Sequence, residues 1–332
     1  MSDYQALEYQ IKDGQVIPKY VPKQFRVRKD GEVLIRVQYS SINHKDALAL
    51  DNNSGVIKNY PIVPGIDFSG MIIESNDSRF FPGDKVVGTG FNFGVTEDGG
   101  YSEFVTTSSQ NILKVPRPLT MRDAMIFGTA GVTAAIALSY FLQMPASIDK
   151  QVPILITGAT GGVGGLLLAM LRKLKFTNVT AVTRQDTAQD YLKSLGAAHV
   201  IAPEVLTQAT DHPLQTGRYM MAIDGIGGDL LGHILPYIKY GGKVVTYGNA
   251  DKATFQANVL PFILRNISLI GVDSVFYPNN DRAELWQLLA TALRPDHEHN
   301  VAVHEIGFEE MIPVLKDFLK KPKLGRTIVA FP

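Results

Sequence analysis

Residues 155–165 read LITGATGGVGG: an apolar run gives way to five glycines in eight residues, and the apolar stretch LLLAMLRKL follows. Few folds accommodate that succession. Ile154 to Thr157 predicts a strand, the glycines a turn whose backbone another molecule can approach, and Leu166 to Leu174 a helix. In a dinucleotide fold such glycines allow the tight turn and the close packing of helix on strand. The helix N-terminus then offers free N–H groups and a positive dipole end to a pyrophosphate. Phosphates are expected over Ala159, Thr160, Gly161, Gly162 and Val163. The spacing is A-x-x-G-x-x-G from Ala159 through Gly162 to Gly165, and a helix-capping turn is the plain alternative for such a run taken alone.

The following strand bears on which nucleotide is bound. A carboxylate about 20 residues after the glycines would accept from a ribose 2′-hydroxyl, whereas a 2′-phosphate needs a cation. The stretch NVTAVTRQD places Thr183 and Arg184 at the strand end. A guanidinium makes charge-assisted, bidentate contacts with phosphate and a threonine adds a hydroxyl, so NADPH is the expected cofactor. The plain reading of Arg184 is a solvated loop residue.

Around this motif the hydrophobic rhythm changes along the chain. Up to about Pro118, short alternating stretches such as EVLIRVQYS, GMIIES, DKVVGTG and YSEFVTT, separated by Gly, Pro and Asp, predict an antiparallel, barrel-like β domain. TMRDAMIFGTAGVTAAIALSYFLQM then predicts a long helix with Thr120 as its N-cap. Beyond it, VPILITG, NVTAVT, HVIA, YMMAID, GKVVTYG and NISLIGV are apolar runs at helix-spaced intervals. Such runs argue for a parallel sheet covered on both faces. After about Ser274 one helix carries Trp286, a second spans FEEMIPVLKDFLKK, and the last strand, RTIVAF, is expected to return to the first domain. The expected division is 1–120, 121–273 and 274–332, with the last part rejoining the first, in an α/β chain.

The 332 residues, 45% of them hydrophobic, suffice for two such domains. Lys+Arg and Asp+Glu are both 32, without a long single-sign block, so neither nucleic acid nor an anionic membrane surface is an expected partner. Cysteine is absent, which excludes disulfides, thiolate metal sites and thiol nucleophiles. MSDYQALEYQIKDG lacks the pattern of a leader, and no apolar run is expected to approach the ~18 residues that span a bilayer. A cytoplasmic protein acting on a small molecule is expected.

Particular segments carry a resemblance over essentially the whole chain. SSINHKDALAL at 40–50, YPIVPGIDFSG at 60–70, FFPGDKVVGTG at 80–90, DGGYSEFV at 98–105, GTAGVTAA at 128–135, the glycine turn, DYLKSLGA at 190–197 and PFILRNISLIGVDS at 261–274 are similar to one family. They resemble the medium-chain dehydrogenase/reductase superfamily, in its YhdH/YhfP group of quinone-oxidoreductase-like proteins that include acrylyl-CoA reductases. The resemblance implies a GroES-like, barrel-type catalytic domain and a Rossmann domain for NADPH. Zinc-dependent members of the superfamily ligate a metal with two Cys and the His of P-G-H-E. The matching places here, near Asn43, Ile66 and residues 128–131, hold neither thiolate nor imidazole, so no metal is expected.

Without a metal Lewis acid, a carbonyl-conjugated double bond or a quinone is the easier acceptor, because charge spreads onto a carbonyl oxygen that hydrogen-bond donors can stabilise. Asn43, His44 and Lys45 offer donors and Asp46 can orient one of them; equally, Asn43 and Asp46 can cap a helix beginning near Lys45. Family members typically carry Tyr where His44 stands, which leaves the proton donor and the substrate open. Asp67 reads as a structural carboxylate, and Thr133 matches a position near the nicotinamide or bonds back to its own helix. Gly248 and Asn249 end a strand where ligands of open sheets collect, and Ser274 is expected to close on the cofactor. Arg326 is expected to meet an anionic substrate group, with a surface salt bridge as its alternative. An NADPH carbonyl reductase and a nucleotide-binding protein without turnover remain competing readings. A strand pair around PFILRNISLIGV would leave a sheet edge to be covered, and a homodimer is expected.

Overall fold

The computed structural model describes residues 3–142, 149–208, 213–297, 300–321 and 323–332. The chain divides into two compact units, Met1–Val132 with Ser274–Ala290 and Ala302–Pro332, and Thr133–Asp273 with Thr291–Val301. These bounds differ from the expected ones in two places. Helix α2, Met121–Leu142, is broken at Gly128 (φ 49°, ψ −151°), and the division falls at 132/133 inside it. The last two residues of the predicted helical stretch lie outside the described residues. Thr291–Val301 belongs to the second unit because Val301 packs against Gly165 and Asp296 pairs with Lys173 at 2.6 Å.

In the first unit, β1 (Tyr4–Lys12) and β2 (Gln15–Lys23) form a hairpin closed by Asp13 and Gly14, both at positive φ, as a two-residue primed turn requires. The main sheet contains β3 (Glu32–Ile42), β4 (Asp67–Ser75), β5 (Lys85–Thr89), β6 (Phe104–Ser108) and β7 (Ile112–Lys114). From the end of the chain come β14 (Val303–Gly307) and β15 (Arg326–Ala330). The order is β14-β15-β3-β4-β5-β7, with β6 also on β3. The final strand pairs antiparallel with β3, while β14 and β15 run parallel, an exception to the antiparallel pattern expected for this domain. Val33, Ile35, Val37, Phe68, Ile72, Val86 and Phe93 fill its core. Helices α1 (His44–Leu48), α8 (Asn279–Ala290) and α9 (Met311–Phe318) complete the unit.

The second unit has a six-stranded parallel sheet of β8 (Ile154–Ile156), β9 (Val179–Val182), β10 (His199–Ile201), β11 (Tyr219–Asp224), β12 (Ile238–Thr246) and β13 (Ser268–Gly271). Its order is β10-β9-β8-β11-β12-β13. The chain winds outward from β8 in one direction and resumes on the other side at β11, which puts a topological switch point between those two strands. Its helices are α3 (Gly162–Lys173), α4 (Gln189–Ser194), α5 (Glu204–Thr207), α6 (Gly228–Ile234) and α7 (Leu260–Arg265). Leu155, Ala222, Val244 and Leu231 pack in its core. The expected strand pair around PFILRNISLIGV is instead a helix followed by a strand. Pro261 sits in the first turn of α7, and Asn266 ends it in the left-handed conformation at φ 51°.

Thr120 caps α2 as expected: its hydroxyl accepts from Asp123 N and its own N–H donates to the Asp123 carboxylate, both at 3.0 Å. Contrary to the expectation that no such run exists, Met121–Phe141 is long and apolar enough to cross a bilayer. That stretch is 83% buried inside the protein, so its apolarity is satisfied by core packing.

Candidate active site

In the second unit the parallel strands bring the predicted nucleotide residues to one edge, the carboxyl ends of β8, β9, β11 and β12. Gly158 leaves β8 at φ 60°, which a side chain rarely tolerates, and Gly161 caps α3. Ala159 is fully buried, while Thr160, Gly161, Gly162 and Val163 are partly exposed. A methyl group on Gly164 would fall 2.4 Å from the Gly158 carbonyl oxygen, so the helix comes this near the turn only because position 164 has no side chain. The N–H groups in the first turn of α3 have no intrahelical acceptors and head the helix dipole.

Beside the turn, Thr183 is half-buried at the end of β9, and its hydroxyl accepts from Gln185 N at 3.0 Å. Arg184 is exposed and has no hydrogen-bond or ion-pair partner among the described residues. Gly248 and Asn249 follow β12 at the same edge. Thr133 is 6% exposed on α2. Ser274 lies in the first unit, where its carbonyl accepts from Arg282 Nη2 at 3.1 Å.

Sequence reasoning passed over three residues at this edge. Thr157, the residue after β8, and Asp224, which ends β11, are both fully buried, and the Thr157 hydroxyl donates to Asp224 Oδ1 at 2.6 Å. The carboxylate also accepts from Gly227 N at 2.8 Å, and burial raises its pKa. The third is Tyr247. An Asp closing the apolar run YMMAID was the readable signal for the first pair; Tyr247 lay within a stretch whose Gly and Asn drew the attention.

The first unit gathers a second polar cluster. Asp67, at the start of β4 and fully buried, accepts from Ser41 Oγ at 2.6 Å, Asn43 Nδ2 at 3.0 Å and Thr129 N at 2.8 Å. Arg326, from β15, donates through Nε to Ile126 O at 3.0 Å, through Nη1 to Asn43 Oδ1 at 3.1 Å and through Nη2 to Ser41 Oγ at 2.7 Å. A Cβ on Gly128 would sit 2.7 Å from Asp67 Oδ2 and 3.0 Å from Arg326 Nη2, so the glycine that breaks α2 also admits this cluster. Asp46 accepts from Asn43 N at 2.9 Å and from Ile66 N at 3.0 Å.

These contacts correct part of the expected catalytic set. Arg326 is 3% exposed with its donors turned onto protein acceptors, so it is neither a surface salt bridge nor placed to meet an anionic substrate. Asn43 and Asp46 are 9% and 2% exposed, and Asp46 caps the short helix α1. Burial, and then the charge of Asp67, pushes the Asp46 carboxyl up to about 7. His44 and Lys45 are the members of the segment that solvent reaches. Desolvation lowers the His44 pKa, which favours the neutral imidazole at pH 7.

The model of the alcohol dehydrogenase GroES-like domain matches residues 29–117, and one described as zinc-binding dehydrogenase matches residues 162–291. The putative quinone oxidoreductase YhfP of Bacillus subtilis is 41% identical over 301 residues, covering 91% of this chain and 90% of that protein. Its crystal structure with NAD bound superposes with a TM-score of 0.93 at 38% identity, covering 99% of this chain and 100% of that one. The probable acrylyl-CoA reductase AcuI of Escherichia coli is 36% identical, covering 98% of this chain and 99% of that protein. The yhdH oxidoreductase of Salmonella enterica, solved with NADP, gives a TM-score of 0.92 at 35% identity over 99% of this chain and 100% of that one.

The chain belongs to the medium-chain dehydrogenase/reductase superfamily, in its YhfP/YhdH quinone-oxidoreductase-like group. As a member of that superfamily it is an oxidoreductase with a nicotinamide dinucleotide cofactor, and the second unit fits such a group: free helix N–H donors share the sheet edge with an exposed cation that has no partner among the described residues. The residues do not fit the zinc named in one family description. The chain has no cysteine, and among the described residues no group of three or more His, Asp or Glu is arranged to hold a metal.

Proposed function

We propose that this superfamily member is an NADPH-dependent reductase of carbonyl-conjugated double bonds or quinones, with an acrylyl thioester as one candidate substrate. The observation that carries the cofactor choice is Arg184, an exposed guanidinium without a partner among the described residues, at the end of the strand next to the glycine turn. Thr183 would add a hydroxyl there. The first turn of α3, over Ala159 to Val163, would hold the pyrophosphate, and Thr133, Gly248, Asn249 and Ser274 are proposed as further cofactor contacts. The bound nucleotide supplies the hydride.

The protein's own contribution to such a reaction is to bind, orient and donate. His44 and Lys45 are the reachable donors for an acceptor's carbonyl oxygen, which gains charge as the conjugated system is reduced. Asn43, Asp46 and Arg326 enter as positioning residues: they fix the turn from which His44 and Lys45 project. The quinone and acrylyl thioester candidates are suggested by the names of YhfP and AcuI. The cysteine-free sequence is compatible with work in the cytoplasm.

A homodimer is part of the same proposal. β13 ends the six-stranded sheet, and Val259, Ile263 and Leu264 beside it are 59%, 68% and 56% exposed. A monomeric mass by light scattering would remove that element.

The test is nicotinamide oxidation against acrylyl-CoA, a simple enone, a benzoquinone and a ketone, with NADPH and NADH in parallel. Turnover of the conjugated acceptors with NADPH strongly preferred is the expected result. Alcohol formed from the ketone alone would move the protein to the carbonyl reductases, and silence across the panel with NADPH bound would make it a binding protein. For His44, an unchanged pH profile after His44→Asn would remove it from proton transfer.

A further inference from the structure

Tyr247 stands one residue beyond the end of β12, and its N–H donates to the Asp224 carbonyl at 2.9 Å, which pins it beside the end of β11. Its ring lies on Gly225. A methyl group there would meet the hydroxyl oxygen at 2.3 Å, Cζ at 2.4 Å and Cε2 at 2.6 Å, so only glycine leaves room for the ring. The same hydroxyl is 3.8 Å from where a Cβ on Gly158 would stand. The phenol oxygen is therefore set between the ends of β8 and β11, the two strands that flank the switch point.

Two further observations make this hydroxyl a ligand group. Tyr247 is partly exposed, and among the described residues its hydroxyl has no hydrogen-bond partner. Burial, and then the charge of Asp224, raises its pKa, so the phenol keeps its proton at neutral pH and acts as a donor. The neighbouring polar groups are already engaged: Asp224 accepts from Thr157 and Gly227, and Thr157 also accepts from Gly225 N at 3.1 Å.

Resting on the reading that a dinucleotide lies along this edge, we infer that the Tyr247 hydroxyl donates a hydrogen bond to the pyrophosphate–ribose bridge of that nucleotide, on its nicotinamide side. The side follows from strand order. Arg184, at the end of β9, marks the adenosine half on one flank of β8, and Tyr247 lies on the opposite flank, toward β11 and β12.

The test compares two probes on wild type and Tyr247→Phe, a change that keeps the ring on Gly225 and removes the hydroxyl. Calorimetric titration is expected to show NADPH binding about five- to tenfold weaker in the variant, the scale of one lost hydrogen bond. Binding of 2′,5′-ADP, which ends on the adenosine side, is expected to be unchanged, as is the unfolding midpoint. NADPH affinity within twofold of wild type would overturn the inference, and so would an equal loss for both probes, which would mean a distorted turn. Wild-type protein that binds neither probe would bring down the dinucleotide reading and this inference with it.

Discussion

Arg326 and Arg184 carry the same charge and have opposite fates. The first, in the β-sheet unit, is buried with its N–H groups on Ser41, Asn43 and the carbonyls of α2; the second, just past a strand of the parallel sheet, has no hydrogen-bond or ion-pair partner among the described residues. The contrast extends to their neighbourhoods. Around Asp67 the polar atoms answer one another, whereas around the glycine turn a helix N-terminus, a cation and a phenol have no acceptors among the described residues. A polar cluster that satisfies itself is scaffold, and one that does not awaits a ligand.

The sharpest way to break this contrast is to remove each arginine. Arg326→Met leaves the Asp67 carboxylate buried beside unmatched hydrogen-bond partners, so a loss of about 3–5 kcal/mol is expected in urea unfolding. A loss under about 1 kcal/mol would mean that the cluster does not hold the unit together. Arg184→Ala is expected to leave stability within about 0.5 kcal/mol, as exposed positions do. Instead it should weaken NADPH binding by about 10- to 100-fold, with NADH little changed. Equal weakening of both nucleotides would remove the 2′-phosphate assignment.

Asp46 adds a pH dependence to the buried cluster. Its carboxyl is raised from an ordinary 3.8 to about 7, so between those values the native state holds a proton that the unfolded chain has released. Stability from this group is complete below the unfolded value and falls as pH rises through the native one. From about pH 4 to 7 the wild type should lose on the order of 1 kcal/mol per pH unit relative to Asp46→Asn. Parallel pH–stability curves for the two proteins would show that Asp46 titrates normally.

The same contrast explains what the sequence could reveal. The strand, glycine turn and helix around Gly158 to Lys173, and the placing of Arg184 and Gly248 at the same sheet edge, were legible because that pattern is written locally, in one strand, one turn and the next strand's end. The parallel strands were legible from their unbroken apolar runs. Arg326 was not, since its partner Ser41 lies 285 residues away and only the pairing of β15 with β3 brings them together. Leu260–Arg265 misled for a different reason: an apolar run of strand length suits either element, and the decision falls to Pro261 and to the left-handed Asn266. β14 went unread because VHEIG is short, mixed and pairs with a strand that follows it by a whole helix.

Thr183 falls between the two classes and carries the smallest expected effect. Its oxygen already accepts from Gln185 N, as a scaffold residue's would, while its hydroxyl proton has no acceptor among the described residues. Thr183→Ala should therefore cost on both counts and little on either: about 0.5–1 kcal/mol of stability from the lost turn contact, and a fewfold loss in NADPH affinity with NADH spared. A change in stability alone would assign Thr183 to the scaffold, leaving Arg184 as the nucleotide contact at the end of β9. A change in affinity alone would show that the contact with Gln185 contributes nothing measurable to the turn, and that a polar atom can be geometrically satisfied within the protein and still belong to the ligand.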